Sequence, residues 1–343
     1  MDTITQITLG AAVGEAVLGR KIGNKAPLWG AVFGIVPDLD VLATPFVSEV
    51  QALAIHRGFS HSIVFSLLAA PLFGWVLHKC YRSRYSVGWR PWMLLVFLVL
   101  ITHIFIDTCT SYGTQVFQPF SNYPLSFNSI FIIDPLYTLP LMAGIGTALF
   151  LRRDSRARRW TNSLGLAVST LYLLWGFAAK VHVSGVFEQN FKAKKIHPQQ
   201  YITTPTPFNT FLWTGYAVAN DTLYAGLYSV FDKDSEISFQ AIPQREELLA
   251  PFGDQLPVER VRWFSQGYYS AEKDSAGRLL VHDLRFGRSD LWLKSGAAPF
   301  VWTYRLQLNK DSTRVTGFKQ LDPNFEINHN TFGDLWDRTF GEK

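Results

Sequence analysis

The chain has 343 residues, enough for two domains of ordinary size. Hydrophobic residues make up 48% of it, charged residues only 17%, and the formal net charge of +5 is unevenly placed: residues 1–182 hold 14 Lys+Arg against 8 Asp+Glu, residues 183–343 hold 18 against 19. The excess base lies in short links between apolar blocks, which is a membrane pattern and excludes a nucleic-acid-binding face.

Residues 4–18 (ITQITLGAAVGEAVL) form a first apolar segment, short and carrying Glu15. Arg20, Lys21 and Lys25 follow the apolar run instead of preceding it, so the segment reads as a retained helix and not a cleaved signal peptide. Residues 28–46 form a second, interrupted by Asp38 and Asp40 in VPDLD. Both are expected to pack inside a bundle. Four further segments, 61–79, 91–107, 129–151 and 162–182, have the roughly 20 apolar residues that a bilayer span needs. The expected fold of residues 1–182 is therefore a membrane α-helical bundle of about six helices, two of them short or irregular.

Residues 183–343 read as soluble protein. Aromatic and β-branched runs such as FLWTGYAVAND and TLYAGLYSVFD, joined at Asn-Asp, signal a hairpin, and RVRWFSQGYYSAEKD, RLLVHDLRFG and FVWTYRLQL continue the pattern. A mainly antiparallel β domain with few helices is expected. TTPTPFNTFLW (203–213) is either an ordered entry loop or a simple linker, and His282 and Asp283 read as strand residues.

Cytoplasmic loops are enriched in Lys and Arg. Links 19–27, 80–90 and 152–161 are basic, whereas 47–60 has only Arg57 and 108–128 carries no charge. Six helices satisfy this alternation and put both the amino terminus and the β domain outside the cytoplasm. Asp2 and Gln6, Asp38 and Asp40, His56 and His61, His103 and Asp107, Asp134, and Lys180 with His182 then all fall at one level, at the outer ends of their helices.

An ionisable residue at the centre of a membrane helix costs about 2.5–3.5 kcal/mol on insertion scales, and gathered carboxylates repel one another. A cation should hold them together. Asp and His suit Zn, Mn or Fe, and the ligand count allows two or three ions. His103 and Asp107, at i and i+4, share one helix face. Pro37 should break regular helix before the Asp pair, and Gly58 should loosen the chain between His56 and His61. Asp134 and Lys180 are equally readable as a neutralising ion pair. His78, at the other end, reads as structural. Ser60 and Ser62 read as helix-start residues, since no Gly-x-Ser-x-Gly elbow surrounds them. Cys80 and Cys109 fall on opposite sides of the membrane and cannot pair.

MDTITQ with LGAAVGEAVLG, then PDLD, HRGFSHS and HIFIDTCTSYGTQVFQPF, together resemble the YdjM-type membrane-bound metal-dependent hydrolases of bacteria, over about residues 1–182. IIDPLYTLP and KVHV are similar to segments of the longer members. Many members have His where this chain has Gln6, which makes Gln6 an uncertain ligand. The family pattern is distantly similar to zinc-dependent phospholipase C and nuclease-type enzymes, and that implies phosphoester hydrolysis on a zinc cluster.

The expectation is thus an integral protein of the bacterial inner membrane that hydrolyses a membrane lipid or lipid-like substrate at the outer face. Asp38, Asp40, His56, His61, His103 and Asp107 would ligate metal. Asp134 or Asp2 would act as base or orient a ligand, and Arg57, Lys180 and His182 would bind substrate. The alternatives are a transporter or metal-handling protein using the same cluster, or a non-catalytic scaffold. No protein partner is legible.

Overall fold

The computed structural model describes residues 1–291, 293, 298–322 and 329–342. The chain separates into two compact units, Met1–Ala43 with Ile55–Gly176, and Thr44–Ala54 with Phe177–Lys343. Seven helices precede the first strand: α1 (Thr3–Ile22), α2 (Lys25–Ile35), α3 (Glu49–Ile55), α4 (Ile63–Tyr81), α5 (Trp89–Thr108), α6 (Pro135–Phe150) and α7 (Arg156–Ala193).

In the first unit, α4, α5 and α7 are each long and apolar enough to cross a membrane. A fourth span is available if α2 and the 3-10 stretch Pro37–Phe46 count as one element bent by 41°. The bend falls where Pro37 removes a backbone donor and cannot continue the α-helical ladder. α6 is apolar but only 16 residues long. The expected span 129–151 starts earlier than the helix does, because Asp134 caps α6 by accepting from the amides of Leu136 and Tyr137.

α1 buries twelve of its twenty residues. It meets α2 backbone to backbone through glycine. A Cβ on Gly30 would lie 2.1 Å from the Gly10 carbonyl oxygen, and one on Gly34 would lie 2.5 Å from that of Gln6. Small residues are what let membrane helices approach so closely. α5 is the central helix, with Trp92, Leu95, Val96, Val99 and Leu100 all buried. The C-terminal end of α5, the N-terminal end of α1, the C-terminal end of α2 and the approach to α4 therefore share one end of the bundle.

The second unit holds two antiparallel sheets. The first runs β1 (Gln200–Pro205), β2 (Leu212–Ala219), β3 (Thr222–Ser229), β4 (Phe239–Pro243) in spatial order, and the second β5 (Tyr269–Lys273), β6 (Leu279–Asp283), β7 (Thr303–Leu308), β8 (Val315–Gln320). Asn220 and Asp221 make the predicted two-residue hairpin, both with positive φ (49° and 57°), the geometry that favours these residue types in a primed turn. The last turns of α7 bury Val183, Phe187 and Phe191 against Trp213, Ala217 and Tyr228 of the first sheet.

Two expectations change here. Residues 203–213 are not a simple linker: they complete β1, turn through 206–211, and begin β2, with Thr204 paired to Thr214. RVRWFS is helical, in α8 (Leu256–Ser265), with Val258, Val261, Phe264 and Ser265 buried. That spacing is helical, and Pro257 in the first turn favours a helix start. A last helix, α9 (His329–Thr339), follows β8.

Candidate metal centre

Three local structures converge at one end of the first unit. The break at Pro37 turns Asp38 and Asp40 off the end of α2. The segment between α3 and α4 then folds around Asp40, whose Oδ2 accepts from the Arg57 amide at 2.9 Å and from Ser60 Oγ at 3.2 Å. Arg57 adopts a left-handed backbone (φ 55°), costly for a side chain of its size. Its amide bond to Asp40 and the 3.0 Å bond from the Gln115 amide to its carbonyl hold it there. The turn delivers His61 to the bundle interior, immediately before Ser62 caps α4 through the Phe65 amide. α5 supplies His103 and Asp107 from one face, both buried.

One donor atom each from Asp38, His61, His103 and Asp107 comes together, all within 4.8 Å of one another. His61 Nε2 lies 3.2 Å from Asp38 Oδ1, 3.3 Å from His103 Nε2 and 3.4 Å from Asp107 Oδ2. His103 Nε2 lies 3.6 Å from each of the same two carboxylate oxygens. A tetrahedral ion with ligands at roughly 2.0–2.2 Å has ligand–ligand edges of about 3.3–3.6 Å. These five spacings match that figure, and the sixth pair, Asp38 with Asp107, lies within 4.8 Å.

His103 Nδ1 is 2.7 Å from the Gly34 carbonyl oxygen, which only accepts, so Nδ1 carries a hydrogen and Nε2 is the nitrogen turned to the cluster. His61 Nδ1 faces Ser60 Oγ at 3.1 Å and Asp40 Oδ2 at 3.4 Å, which likewise leaves Nε2 to the cluster. A carboxylate behind a ligating imidazole is the usual outer support of a metal site. Asp107 divides its oxygens: Oδ1 accepts from Gln6 Nε2 at 2.9 Å and from the Met1 amino group, whereas Oδ2, turned to the imidazoles, is buried without a hydrogen-bond partner among the described residues. A buried carboxylate oxygen is costly without positive charge beside it; Arg57 Nε lies 3.4 Å away and offsets part of that charge, and a divalent ion would supply the rest. The donor set therefore fits one divalent ion, and this is a buried Asp/His metal-binding cluster.

Other expected site residues lie around it or elsewhere. Asp40 is one layer out, bridging His61 and His56, whose Nδ1 is 3.0 Å from Asp40 Oδ1. His56 is 30% exposed and packs edge-on against Tyr112. Arg57 is buried: its Nε is 3.4 Å from Asp107 Oδ2, Nη1 donates to Thr110 Oγ1, and the guanidinium lies over the Tyr112 ring. Gln6 turns its amide nitrogen to Asp107, and its Oε1 is a buried acceptor without a partner among the described residues.

Asp2 caps α1 through the Thr5 amide and hydroxyl. Asp134 caps α6 and accepts from Tyr172 Oη at 2.9 Å. Lys180 and His182 belong to the second unit, where Lys180 donates to the Thr203 carbonyl and His182 faces Tyr228. His78 bonds the Val87 carbonyl and is structural as expected. Ser60, read as a helix-start residue, instead contacts Asp40 and His61. Thr110 and the Met1 amino group escaped sequence reasoning: neither stands out in type or pattern, and only the fold brings them to Asp107.

A multi-helix membrane unit with a buried two-His, two-Asp cluster defines an integral membrane protein with a metal centre. The family profile described as YdjM inner membrane protein matches residues 1–183, and the chain belongs to that family. It is 28% identical over 152 residues to the protein YfhP of Bacillus subtilis strain 168, covering 42% of this chain and 45% of the relative. It is 26% identical over 113 residues to the inner membrane protein YbcI of Escherichia coli K12, covering 33% of this chain and 63% of that protein. The chain thus spans about half to two thirds of the length of these curated relatives. No solved structure matches it.

Proposed function

We propose that the protein is a membrane-bound metal-dependent hydrolase. It holds one divalent ion, zinc by its donor set, between Asp38, His61, His103 and Asp107, and cleaves a phosphoester or related bond of a lipid-like substrate at the outer face of the membrane. The observation that carries this reading is the set of five donor spacings of 3.2–3.6 Å around a point that both imidazoles face with Nε2. Once bound, the ion would supply Lewis acidity to a substrate oxygen and to an attacking water, either of which must join the four donors or displace one of them.

The protein's own groups have separable tasks. Asp38 is the most exposed of the four donors, its side chain 27% accessible, and so marks the side from which water and substrate enter. Leu39, Val41 and Leu42 beside it expose 48–65% of their surface, an apolar rim suited to a lipid and not to a wholly polar substrate. Asp40 holds the imidazoles of His61 and His56 at once. His56, partly exposed at the mouth, is oriented to exchange a proton with the leaving group or the water. Arg57 offsets the charge of Asp107 in the bundle interior. Asp2 and Asp134, engaged as helix caps, receive no chemical step. The basic links 19–27, 80–90 and 152–161 support the outer face.

An ion path is the competing class, and it needs polar groups that continue through the bundle. The carboxylate available for that, Glu15, is clamped by Arg158 through two bonds of 2.6 Å at the other end. This supports a closed bundle and favours hydrolysis. Full-length protein should therefore release a phosphorylated headgroup, or phosphate, from one member of a panel of lipid phosphoesters, and His61→Ala should abolish release. Activity unaffected by that substitution would remove the proposal.

A further inference from the structure

We infer that the bundle carries a second ligand site: a groove between α1, α2 and α6 that seats an acyl chain of an anionic phospholipid whose headgroup meets Lys25. The groove encloses about 720 Å³ and is walled by apolar side chains, among them Ile7, Leu28, Met142 and Leu149. Its polarity is one-ended. Thr8, at the other end, has its hydroxyl satisfied by the Ile4 carbonyl. Asn24, Lys25 and Tyr85 come together where the α1–α2 and α4–α5 links lie, at the end of the bundle opposite the metal cluster.

Head and tail are both matched. From Thr8 to Ile22 the α1 wall runs roughly 21 Å at about 1.5 Å per residue. That length accommodates a chain from one leaflet of a hydrocarbon core about 30 Å thick. Asn24 is committed: its Nδ2 donates to the Leu149 carbonyl at 3.1 Å, and its Oδ1 accepts from Arg158 Nη1 at 2.7 Å. Among the described residues Lys25 is the cation that lines the groove, and no carboxylate lines it. Lys21 lies in the last turn of α1, and the Arg153 side chain runs beside Gly23, 3.9 Å from where a Cβ would sit. Basic residues flanking membrane helices attract anionic headgroups at about 1 kcal/mol each near the surface, or about fivefold in affinity. On the face of a membrane-spanning unit, lipid is the molecule at hand, and an apolar slot with a cationic end selects an anionic one.

The test uses full-length protein in nanodiscs of equal dioleoyl phosphatidylglycerol and dioleoyl phosphatidylcholine, with retained lipid read by native mass spectrometry. A Cβ at Gly146, which lines the groove, meets nothing within 4 Å, so Gly146→Leu fills the slot without displacing a helix. The parent should retain one phosphatidylglycerol per chain with about fivefold preference or more. Lys25→Gln should bring the two lipids to near parity, and Gly146→Leu should retain neither while keeping parental metal content. Equal retention of both lipids by the parent overturns the inference. So does parental retention of phosphatidylglycerol by Gly146→Leu. Conversion of a dimer to a monomer by Gly146→Leu would show the groove to be an interface between copies, and would overturn it as well.

Discussion

The imidazole of His103 is tied through Nδ1 to the Gly34 carbonyl at 2.7 Å, and that bond decides which nitrogen faces the metal cluster. Gly34 reaches this position because α2 lies backbone to backbone on α1: a Cβ on Gly34 would come within 2.5 Å of the Gln6 carbonyl. The orientation of a metal ligand on the central helix thus depends on a glycine contact between two other helices.

That dependence can be measured. Gly30→Leu must push α1 and α2 apart, since even its Cβ would lie 2.1 Å from the Gly10 carbonyl oxygen. It should lower thermal stability and metal content together. Gly146→Ala, on α6 in open space, should change neither. Parental metal content in a stably inserted Gly30→Leu protein would disconnect the helix contact from the site.

Asp38 and Asp40 should separate by role. Asp38→Asn removes a charged donor from the cluster and should weaken metal binding by well over tenfold. Asp40→Asn leaves the four donors in place but loosens His61 and His56, and loss of an outer partner typically costs 10–100-fold in affinity or activity. Its metal should therefore remain measurable while activity falls. Titration of both variants with zinc checks the order, and a weaker Asp40→Asn than Asp38→Asn would reverse the assignment.

Glu15 and Arg158 form a buried ion pair far from the cluster, both side chains at most 3% exposed. Glu15→Gln leaves the guanidinium without its partner, a change that typically costs about 3–5 kcal/mol. The melting temperature should drop clearly, with metal stoichiometry unchanged in the protein that remains folded. A melting temperature equal to the parent's would show that the pair does not hold α1 to α7.

How much of this was legible follows from the cost of charge in a membrane. Asp38, His61, His103 and Asp107 stand out because an ionisable residue in an apolar helix needs a reason. The division between donors and outer partners was not legible. Asp40 lies two residues from Asp38 and His56 five from His61, and only the path of the turn at Arg57 puts one of each pair in the cluster. Asp2 and Asp134 sit at helix starts, where a cap and a catalytic carboxylate look alike in sequence. RVRWFS was read as strand because a short run rich in Val and aromatics fits either period. The hairpin at Asn220–Asp221 was legible because its turn chemistry is local.

The orientation rests on the basic links. A reporter fused to the carboxy terminus should be active outside the cytoplasm, and one inserted at residues 152–155 should be active inside. Activity of both on the same side would show that α7 does not cross the membrane and would remove the outer placement of the site.

The most direct measurement is the metal content of the purified full-length protein, taken with its melting temperature before and after chelation. One divalent ion per chain is expected. Chelator should lower the parent's melting temperature, because an ion that binds only the folded state stabilises it by mass action, and should affect Asp38→Asn and His61→Ala much less. A parent that carries no divalent ion, takes none up on addition of zinc, and melts identically with and without chelator would contradict the account, leaving PDLD as a structural turn and the cluster as buried polar packing.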